Sequence, residues 1–165
     1  MRACVTGGAG FIGSQVADAL IERGDSVLVV DDFSTGFREY LNPGAELHEA
    51  DLATDKQLAK ALAGVEVIFH TAALARVPRS IEQPLETHAA NVTGTLNLLK
   101  AAADAKVRRV VYSSSSSVYG DQPMLPLTED MSPNPLNPYA CQKYMGEIYG
   151  RNFTRVFGLE TVCLR

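Results

Sequence analysis

Cysteine is scarce in this sequence, and no apolar run approaches the length of a membrane span. The three cysteines, Cys4, Cys141 and Cys163, are odd in number and far apart, so they form neither a disulfide framework nor the ligand spacing of a metal site. We therefore expect free thiols, a reducing cytoplasm and no metal ion. Met1-Arg2 leads directly into an apolar segment, so we expect neither a signal peptide nor a membrane partner.

An excess of positive charge is also lacking. Fifteen Lys and Arg residues against nineteen Asp and Glu give a formal net charge of −4, so we expect no nucleic-acid partner. The hydrophobic fraction of 46% and the charged fraction of 21% are ordinary for a globular protein, and 165 residues bury a substantial core. One domain, residues 1–165, is the natural expectation.

Short apolar runs alternate with segments of helical periodicity along the whole chain. This alternation predicts an α/β fold of the Rossmann type, a doubly wound parallel sheet with right-handed crossovers and helices on both faces. The predicted strands are 2–6, 26–31, 45–50, 65–70, 108–113 and 159–164. The predicted helices are 11–23, 54–63, 84–105 and 137–157.

A glycine-rich turn joins the first predicted strand to the first predicted helix. Gly8, Gly10 and Gly13 have the G-x-G-x-x-G spacing. Unpaired backbone N–H groups and the dipole at a helix start suit a diphosphate. A side chain at Gly8 or Gly10 would hold the anion away, and one at Gly13 would separate the helix from the strand. The turn therefore predicts a dinucleotide site.

The second predicted strand ends in Asp31-Asp32, about 20 residues past the glycines. An acidic side chain there can accept hydrogen bonds from the two hydroxyls of an adenosine ribose. It would also repel the additional phosphate of NADP. The position of these acids therefore predicts NAD as the cofactor.

Residues that follow the third and fourth predicted strands lie at the same edge of the sheet, where ligands bind. Asp51 and Leu52 could hold an adenine ring, and the small residues 71–73 would let the backbone approach a cofactor. Taken singly, each of these segments is equally consistent with a plain loop. We interpret His70 as a hydrogen-bonded structural histidine and assign it no catalytic role.

Tyr139 and Lys143 lie four residues apart and so project from one face of a predicted helix. A lysine ammonium lowers the pKa of a nearby phenol because it favours the phenolate, and a cationic nicotinamide adds to this effect. A tyrosine with its pKa lowered in this way becomes a general base near neutral pH. The serine run 113–117 follows a predicted strand at the mouth of the same site. Either feature alone is typical of a solvated pair or a turn, but together with the glycine turn they indicate catalysis.

In these segments the chain resembles the extended short-chain dehydrogenase/reductase family, and within it the nucleotide-sugar 4-epimerases. The matching motifs cover nearly the whole chain in the family's order: Thr6-Gly7-Gly8-Ala9-Gly10-Phe11-Ile12-Gly13, Asp31-Asp32-Phe33-Ser34-Thr35-Gly36, Asp51-Leu52, His70-Thr71-Ala72-Ala73, Asn91-Val92-Thr93-Gly94-Thr95, Ser113 to Gly120, and Tyr139 to Lys143.

The resemblance implies a role for each matching residue. It implies that NAD is bound by Gly7, Gly10, Phe11, Ile12, Gly13, Asp31, Asp32, Ser34, Thr35, Gly36, Asp51, Leu52, Thr71, Ala72, Ala73, Asn91, Tyr139 and Lys143. Phe11 and Ile12 would face the pyrophosphate, and Asn91 would brace the site. It implies that Ser115 is the catalytic hydroxyl, Tyr139 the base, and Lys143 both its tuner and a ligand of the nicotinamide ribose. The sugar would be bound by Ser115, Ser116, Ser117 and Tyr139.

The reaction implied is inversion at C4 of a UDP-hexose or UDP-N-acetylhexosamine, through a 4-keto sugar and transient hydride transfer to NAD. Related 4,6-dehydratases carry Thr-Asp-Glu where this chain has Ser115-Ser116-Ser117, and UDP-glucuronate decarboxylases carry a Glu at the position of Ser117. This chain has neither carboxylate, so water elimination and decarboxylation would lack their acid–base groups. The segment 77–81 resembles epimerases that act on N-acetylated sugars. The alternatives are a UDP-glucuronate 4-epimerase, another nucleotide-sugar oxidoreductase of the family, or a dinucleotide-sensing module without catalysis.

Family members continue beyond the equivalent of Arg165 into a lobe that grips the nucleotide sugar. The resemblance therefore implies a Rossmann domain truncated before the substrate lobe, with NAD binding but little or no turnover by itself. It also implies a homodimer of the full-length protein, built from helices such as 84–105 and 137–157.

Overall fold

Six strands pair in parallel in one sheet, in the order β3-β2-β1-β4-β5-β6. The computed structural model describes residues 1–165, and its strands are β1 (Arg2–Thr6), β2 (Ser26–Asp31), β3 (Glu46–Glu49), β4 (Val67–His70), β5 (Arg109–Ser113) and β6 (Glu160–Leu164). The helices are α1 (Phe11–Glu22), α2 (Leu58–Ala61), α3 (Val77–Glu82), α4 (Pro84–His88), α5 (Gly94–Asp104) and α6 (Pro138–Phe157). This strand order confirms the predicted Rossmann-type fold.

The central strands are buried on both faces because nearly all their side chains are apolar. On one face Cys4, Leu28 and Ile68 belong to a core cluster that extends beneath α2, α5 and α6. On the other face Val5 and Val29 pack against α1. The two layers fix the carboxyl ends of β1, β2 and β4 as one continuous edge, which positions the site described below.

The predicted helix 84–105 is interrupted, because one turn of π-helix (Ala89–Thr93) separates α4 from α5. Asn91 lies in this wider turn and is 1% exposed. Such turns are frequent at functional sites. The hydroxyl of Thr95 donates a hydrogen bond of 2.6 Å to the backbone oxygen of Asn91, which secures the transition into α5.

Two further elements differ from the sequence-based expectation. Helix α3 was not predicted, because proline and polar residues conceal its short amphipathic pattern. Of the predicted helix 54–63, only Leu58–Ala61 is helical. The helix begins late because the side chain of Asp55 accepts a hydrogen bond of 2.8 Å from the backbone N–H of Gln57. This local bond stabilises a turn in place of the first helical turn.

None of the helices combines the length and the apolar character needed to cross a membrane. No cluster of three or more His, Cys, Asp or Glu side chains forms a metal-binding arrangement. Cys4, Cys141 and Cys163 are all free thiols.

Candidate active site

A groove of about 320 Å³ runs along the carboxyl ends of β1, β2 and β4. All the predicted cofactor-binding residues except Asn91, Tyr139 and Lys143 line it: Gly7, Gly10, Phe11, Ile12, Gly13, Asp31, Asp32, Ser34, Thr35, Gly36, Asp51, Leu52, Thr71, Ala72 and Ala73. Val30, Ala50, Leu74 and Ala90 also line the groove and were not predicted. These four residues are apolar, so in the sequence they look like core residues. Only their position next to predicted groove residues could have indicated their location.

Close backbone approach explains the glycines on the groove side of the turn. A Cβ atom at Gly13 would lie 2.1 Å from the backbone oxygen of Gly7, so α1 packs this tightly on the turn only with glycine. Gly7 itself has φ of +71°, and a Cβ there would lie 2.7 Å from the backbone nitrogen of Ala72. Gly10 lines the groove. A Cβ atom at Gly10 would meet only the backbone oxygen of Gly7, at 3.2 Å. Gly10 therefore leaves open a space that a side chain would fill.

The expectation for Gly8 was wrong. A Cβ atom on Gly8 would lie 2.7 Å from Cγ1 of Val29, in the core, rather than in the groove. The absence of a side chain at Gly8 serves packing against β2. The glycines that line the groove are therefore Gly7, Gly10 and Gly13. Gly7 takes the place that the G-x-G-x-x-G pattern assigned to Gly8.

The start of α1 offers backbone donors to the groove. Ser14 is the first residue of this helix to donate along it, with a bond of 3.0 Å from its N–H to the oxygen of Gly10. The preceding N–H groups of Phe11, Ile12 and Gly13 therefore have no helical acceptor. Together with the positive end of the helix dipole, they suit a diphosphate. The side chains of Phe11 and Ile12 are 80% and 61% exposed at this edge.

Asp31 fits the predicted ribose contact better than Asp32 does. Its Oδ2 accepts a hydrogen bond of 2.9 Å from the N–H of Ala9, and its Oδ1 accepts one of 2.8 Å from the N–H of Phe33. These bonds fix the carboxylate against the glycine turn, and each oxygen keeps a lone pair for a hydroxyl donor. The exposed Asp32 instead accepts hydrogen bonds from the N–H and the hydroxyl of Ser34, at 2.9 and 2.6 Å.

A second cluster lies beside the end of β5. Lys143 is 3% exposed, and its Nζ donates a hydrogen bond of 2.9 Å to the backbone oxygen of Ser113. The same nitrogen lies 6.0 Å from the centre of the Tyr139 ring. Burial lowers the pKa of Lys143 to about 8. The side chains of Tyr139 and Lys143 therefore share one face of α6, as their spacing predicted.

The expected low pKa of the phenol is not found in the chain alone. Burial raises the pKa of Tyr139 above its usual 10, and only the nearby hydroxyl of Ser115 lowers it. The ammonium of Lys143 donates to the carbonyl of Ser113 and does not contribute to this shift of the pKa of Tyr139 in the absence of NAD. The prediction combined the lysine with the cationic nicotinamide of bound NAD, so a phenol that titrates near neutral pH stays a prediction for the NAD-bound site.

The serine run is an ordered turn. Ser115 caps a short 3₁₀-helix (Ser116–Tyr119), accepting a hydrogen bond of 3.2 Å from the N–H of Ser117. The hydroxyl oxygens of Ser115 and Ser117 lie 2.6 Å apart in a further hydrogen bond, and Ser116 is exposed. The hydroxyl of Ser115 is thus held beside Tyr139.

Asn91 connects the groove to this second cluster. It hydrogen-bonds the backbone of Leu74, which lines the groove, and its Nδ2 donates a bond of 2.8 Å to Oε1 of Gln142. Gln142 precedes Lys143 on α6 and is 4% exposed. Gln142 could not be predicted from the sequence, because glutamine is common on exposed helix faces. Asn91 therefore joins a wall of the groove to the helix that carries Tyr139 and Lys143.

His70 is part of the support beneath the site. Its two ring nitrogens lie 2.7 Å from the hydroxyl of Thr6 and 2.9 Å from that of Thr95. Burial and the nearby charge of Lys143 lower the pKa of His70 to about 3, so the ring is neutral. This environment agrees with the interpretation of His70 as structural.

Comparison with known proteins agrees with this geometry. The family model described as "NAD dependent epimerase/dehydratase family" matches residues 3–165. A UDP-glucose 4-epimerase of Mycolicibacterium smegmatis is 43% identical over 168 residues, covering 97% of this chain and 53% of the relative. A structure of UDP-N-acetylglucosamine 4-epimerase from Methanobrevibacter ruminantium aligns with a TM-score of 0.94 at 39% identity, covering 99% and 54% of the two chains. The Thermus thermophilus UDP-glucose 4-epimerase complex with NAD aligns with a TM-score of 0.95 at 36% identity, covering 100% and 54%.

The chain belongs to the NAD dependent epimerase/dehydratase family. The family resemblance seen in the sequence is therefore confirmed, and so is NAD as the cofactor of its class. The chain spans about half the length of the relatives it matches.

Proposed function

We propose that this chain is the NAD-binding domain of a nucleotide-sugar 4-epimerase that acts on a UDP-hexose or a UDP-N-acetylhexosamine. The observation that carries the proposal is the cluster of Tyr139, Lys143 and Ser115. Hydrogen bonds from Asn91 join the helix that carries Tyr139 and Lys143 to Leu74, which lines the groove that the glycine turn and Asp31 form. Family membership supports the class of reaction, and the epimerases among the relatives support the finer assignment.

The residues present fit NAD. The N–H groups at the start of α1 would hold the diphosphate, with Gly10 leaving room for it, and Asp31 would accept hydrogen bonds from the adenosine ribose. Asp51 and Leu52 would contact the adenine, and Lys143 the other ribose. When bound, NAD supplies a site that accepts a hydride and returns it.

In this proposal Tyr139 takes the proton of the sugar's C4 hydroxyl and later returns it. The hydroxyl of Ser115 lies beside the phenol and would hydrogen-bond the same oxygen of the sugar. Because burial keeps the phenol protonated near neutral pH, proton removal needs positive charge close to Tyr139. Lys143, fixed by the carbonyl of Ser113, is the nearest cation of the chain's own side chains to that ring.

Epimerisation is favoured over water elimination because the serine run supplies no carboxylic acid. Ser115, Ser116 and Ser117 provide hydroxyls only. The buried carboxylate nearest to them, that of Glu147, is engaged by Arg165 and Ser114. Elimination would need an acid and a base free to exchange protons with the sugar.

The test is Tyr139→Phe in the full-length protein. We expect the epimerisation rate to fall by roughly 10²–10⁴-fold, the usual contribution of a general acid–base group, while NAD affinity is retained. Tyr144→Phe, on the same helix, is the matched control and should retain activity. Undiminished epimerisation by the Tyr139 variant would refute the role.

Assays with UDP-glucose, UDP-N-acetylglucosamine and UDP-glucuronate distinguish the substrates. Turnover of UDP-glucuronate, with none of the other two sugars, would favour the alternative that the protein is a UDP-glucuronate 4-epimerase. NAD binding without turnover of any sugar by the full-length protein would favour a dinucleotide-sensing module.

The homodimer is also proposed for the full-length protein. Met145 and Ile148 are 40% and 46% exposed on the outer side of α6, although both are apolar. Charged substitutions at both positions should give a monomer in sedimentation experiments, because they would place unpaired charges in an apolar contact. A dimer that persists in the double variant Met145→Lys, Ile148→Lys would contradict this use of α6.

A further inference from the structure

Glu147 is a buried carboxylate that the proposed reaction does not use. It lies one helical turn beyond Lys143 on α6 and is 3% exposed. Two hydrogen bonds from the guanidinium of Arg165, of 2.9 and 2.7 Å, reach its two oxygens. The hydroxyl of Ser114 donates a third hydrogen bond, of 2.5 Å, to Oε1. Burial raises the pKa of Glu147, but the hydrogen bonds from Arg165 and Ser114 outweigh it and leave the pKa lowered.

Arg165 contacts the same serine segment a second time. Its guanidinium carbon lies 4.6 Å from the centre of the Tyr119 ring. Tyr119 ends the 3₁₀-helix that Ser115 caps. The Glu147–Arg165 pair therefore meets the segment 113–119 near both of its ends.

In the sequence Ser114 lies between Ser113 and Ser115, the two residues that contact Lys143 and Tyr139. The carbonyl of Ser113 accepts the hydrogen bond from Lys143, and the hydroxyl of Ser115 lies beside the phenol of Tyr139. A displacement of Ser114 would move both of these groups, because each is one peptide away. The backbone of Ser114 is also fixed, by a bond of 2.8 Å from its N–H to the oxygen of Leu164.

We propose that Glu147 and Arg165 are positioning residues, which hold the segment 113–119 so that Ser113 and Ser115 face Lys143 and Tyr139. The catalytic meaning of this arrangement rests on the proposed function. The positioning itself concerns the chain's own atoms and is measurable without cofactor or sugar.

The opposite end of β6 provides a matched control. Nε of Arg109 donates a hydrogen bond of 2.8 Å to Oε2 of Glu160, and a second guanidinium nitrogen lies 2.7 Å from the same oxygen. Both side chains are close to half exposed. This pair joins β5 to β6 as the Glu147–Arg165 pair joins α6 to the residue that follows β6, and none of its hydrogen bonds or ion pairs reaches the serine segment. A purely structural ion pair should behave like this one.

The experiment measures the pKa of Lys143 by NMR titration of the lysine side chains in the full-length protein, with Lys143→Met to assign its signal. Three variants are compared, Ser114→Ala, Glu147→Gln and Glu160→Gln. In the first two we expect the proton affinity of Lys143 to rise at least about tenfold, toward that of a solvated lysine, because a loosened segment admits water. In Glu160→Gln it should remain unchanged.

An unchanged pKa of Lys143 in both Ser114→Ala and Glu147→Gln, with only the melting temperature lowered, would overturn the proposal and make the pair purely structural. If Glu147→Gln does not fold, Ser114→Ala decides, because it keeps the Glu147–Arg165 pair and removes the hydrogen bond between Glu147 and the segment. NAD titration of the same samples is a separate readout. If the pKa of Lys143 shifts as expected in the variants but the parent protein does not bind NAD, the proposed function is contradicted. The positioning role of Glu147 and Arg165 is then still supported.

Discussion

Asn91 hydrogen-bonds both backbone polar groups of Leu74: its Oδ1 accepts from the N–H at 2.8 Å, and its Nδ2 donates to the oxygen at 3.1 Å. The second proton of Nδ2 is directed at Oε1 of Gln142, at 2.8 Å. One side chain therefore satisfies a groove-lining backbone and the helix that carries Tyr139 and Lys143. Its use of both amide groups allows only one orientation of Asn91.

Replacing Asn91 should loosen the groove and the catalytic helix together. In Asn91→Ala the N–H and oxygen of Leu74 and the amide oxygen of Gln142 lose their buried partner. We expect a loss of about 3 kcal/mol in the free energy of unfolding by urea, since each unsatisfied buried group costs about 1–3 kcal/mol, together with weaker NAD binding. The exposed Asn152→Ala is the control and should stay within about 0.5 kcal/mol of the parent. Equal stability of the two variants would contradict the role of Asn91.

The packing of α1 on the glycine turn predicts a strong effect at Gly13. In Gly13→Ala the new Cβ would lie 2.1 Å from the backbone oxygen of Gly7, which cannot move aside as a side chain would. Overpacking of this kind typically costs about 1–3 kcal/mol, and the shifted helix should lose NAD affinity beyond the loss of stability. At Gly44 the new Cβ would meet a side-chain oxygen of Asn42, at 3.2 Å. Gly44→Ala should therefore be mild, and a similar profile for both variants would refute the close approach at Gly13.

The buried ammonium of Lys143 predicts a defined pH dependence of stability. Its pKa is about 8 in the folded chain, against 10.5 for a solvated lysine, so between these values the unfolded chain binds more protons. The contribution of Lys143 to the free energy of unfolding therefore rises with pH in this window, by at most about 1.4 kcal/mol per unit, and the cost of burying the charge is complete below pH 8.

This contribution is measured as the difference between the parent and Lys143→Met across pH 7–10, which removes the effects of the other titrating groups. The stability of the parent relative to the variant should increase with pH. Lys100→Met, at an exposed lysine paired with Asp104, should show no such slope. A flat difference curve for Lys143→Met would show that the ammonium is solvated.

The sequence predicted the sheet well because its strands are short apolar runs whose burial leaves little choice of conformation. It predicted the groove because glycines and acids after parallel strands converge on one edge. It could not predict the π-turn at Asn91, α3, or the partners Gln142 and Glu147, since each depends on contacts between segments distant in sequence. It misjudged Gly8 for a related reason, because the direction in which a residue is buried is a property of the assembled layers.

Calorimetric titration of the 165-residue chain with NAD and with NADP tests the central claim most directly. The geometry of Asp31 and the start of α1 predicts one NAD site per chain, with NADP bound at least about tenfold more weakly, because the carboxylate would repel its additional phosphate. Absence of NAD binding, or NADP binding as tight as that of NAD, would contradict the account.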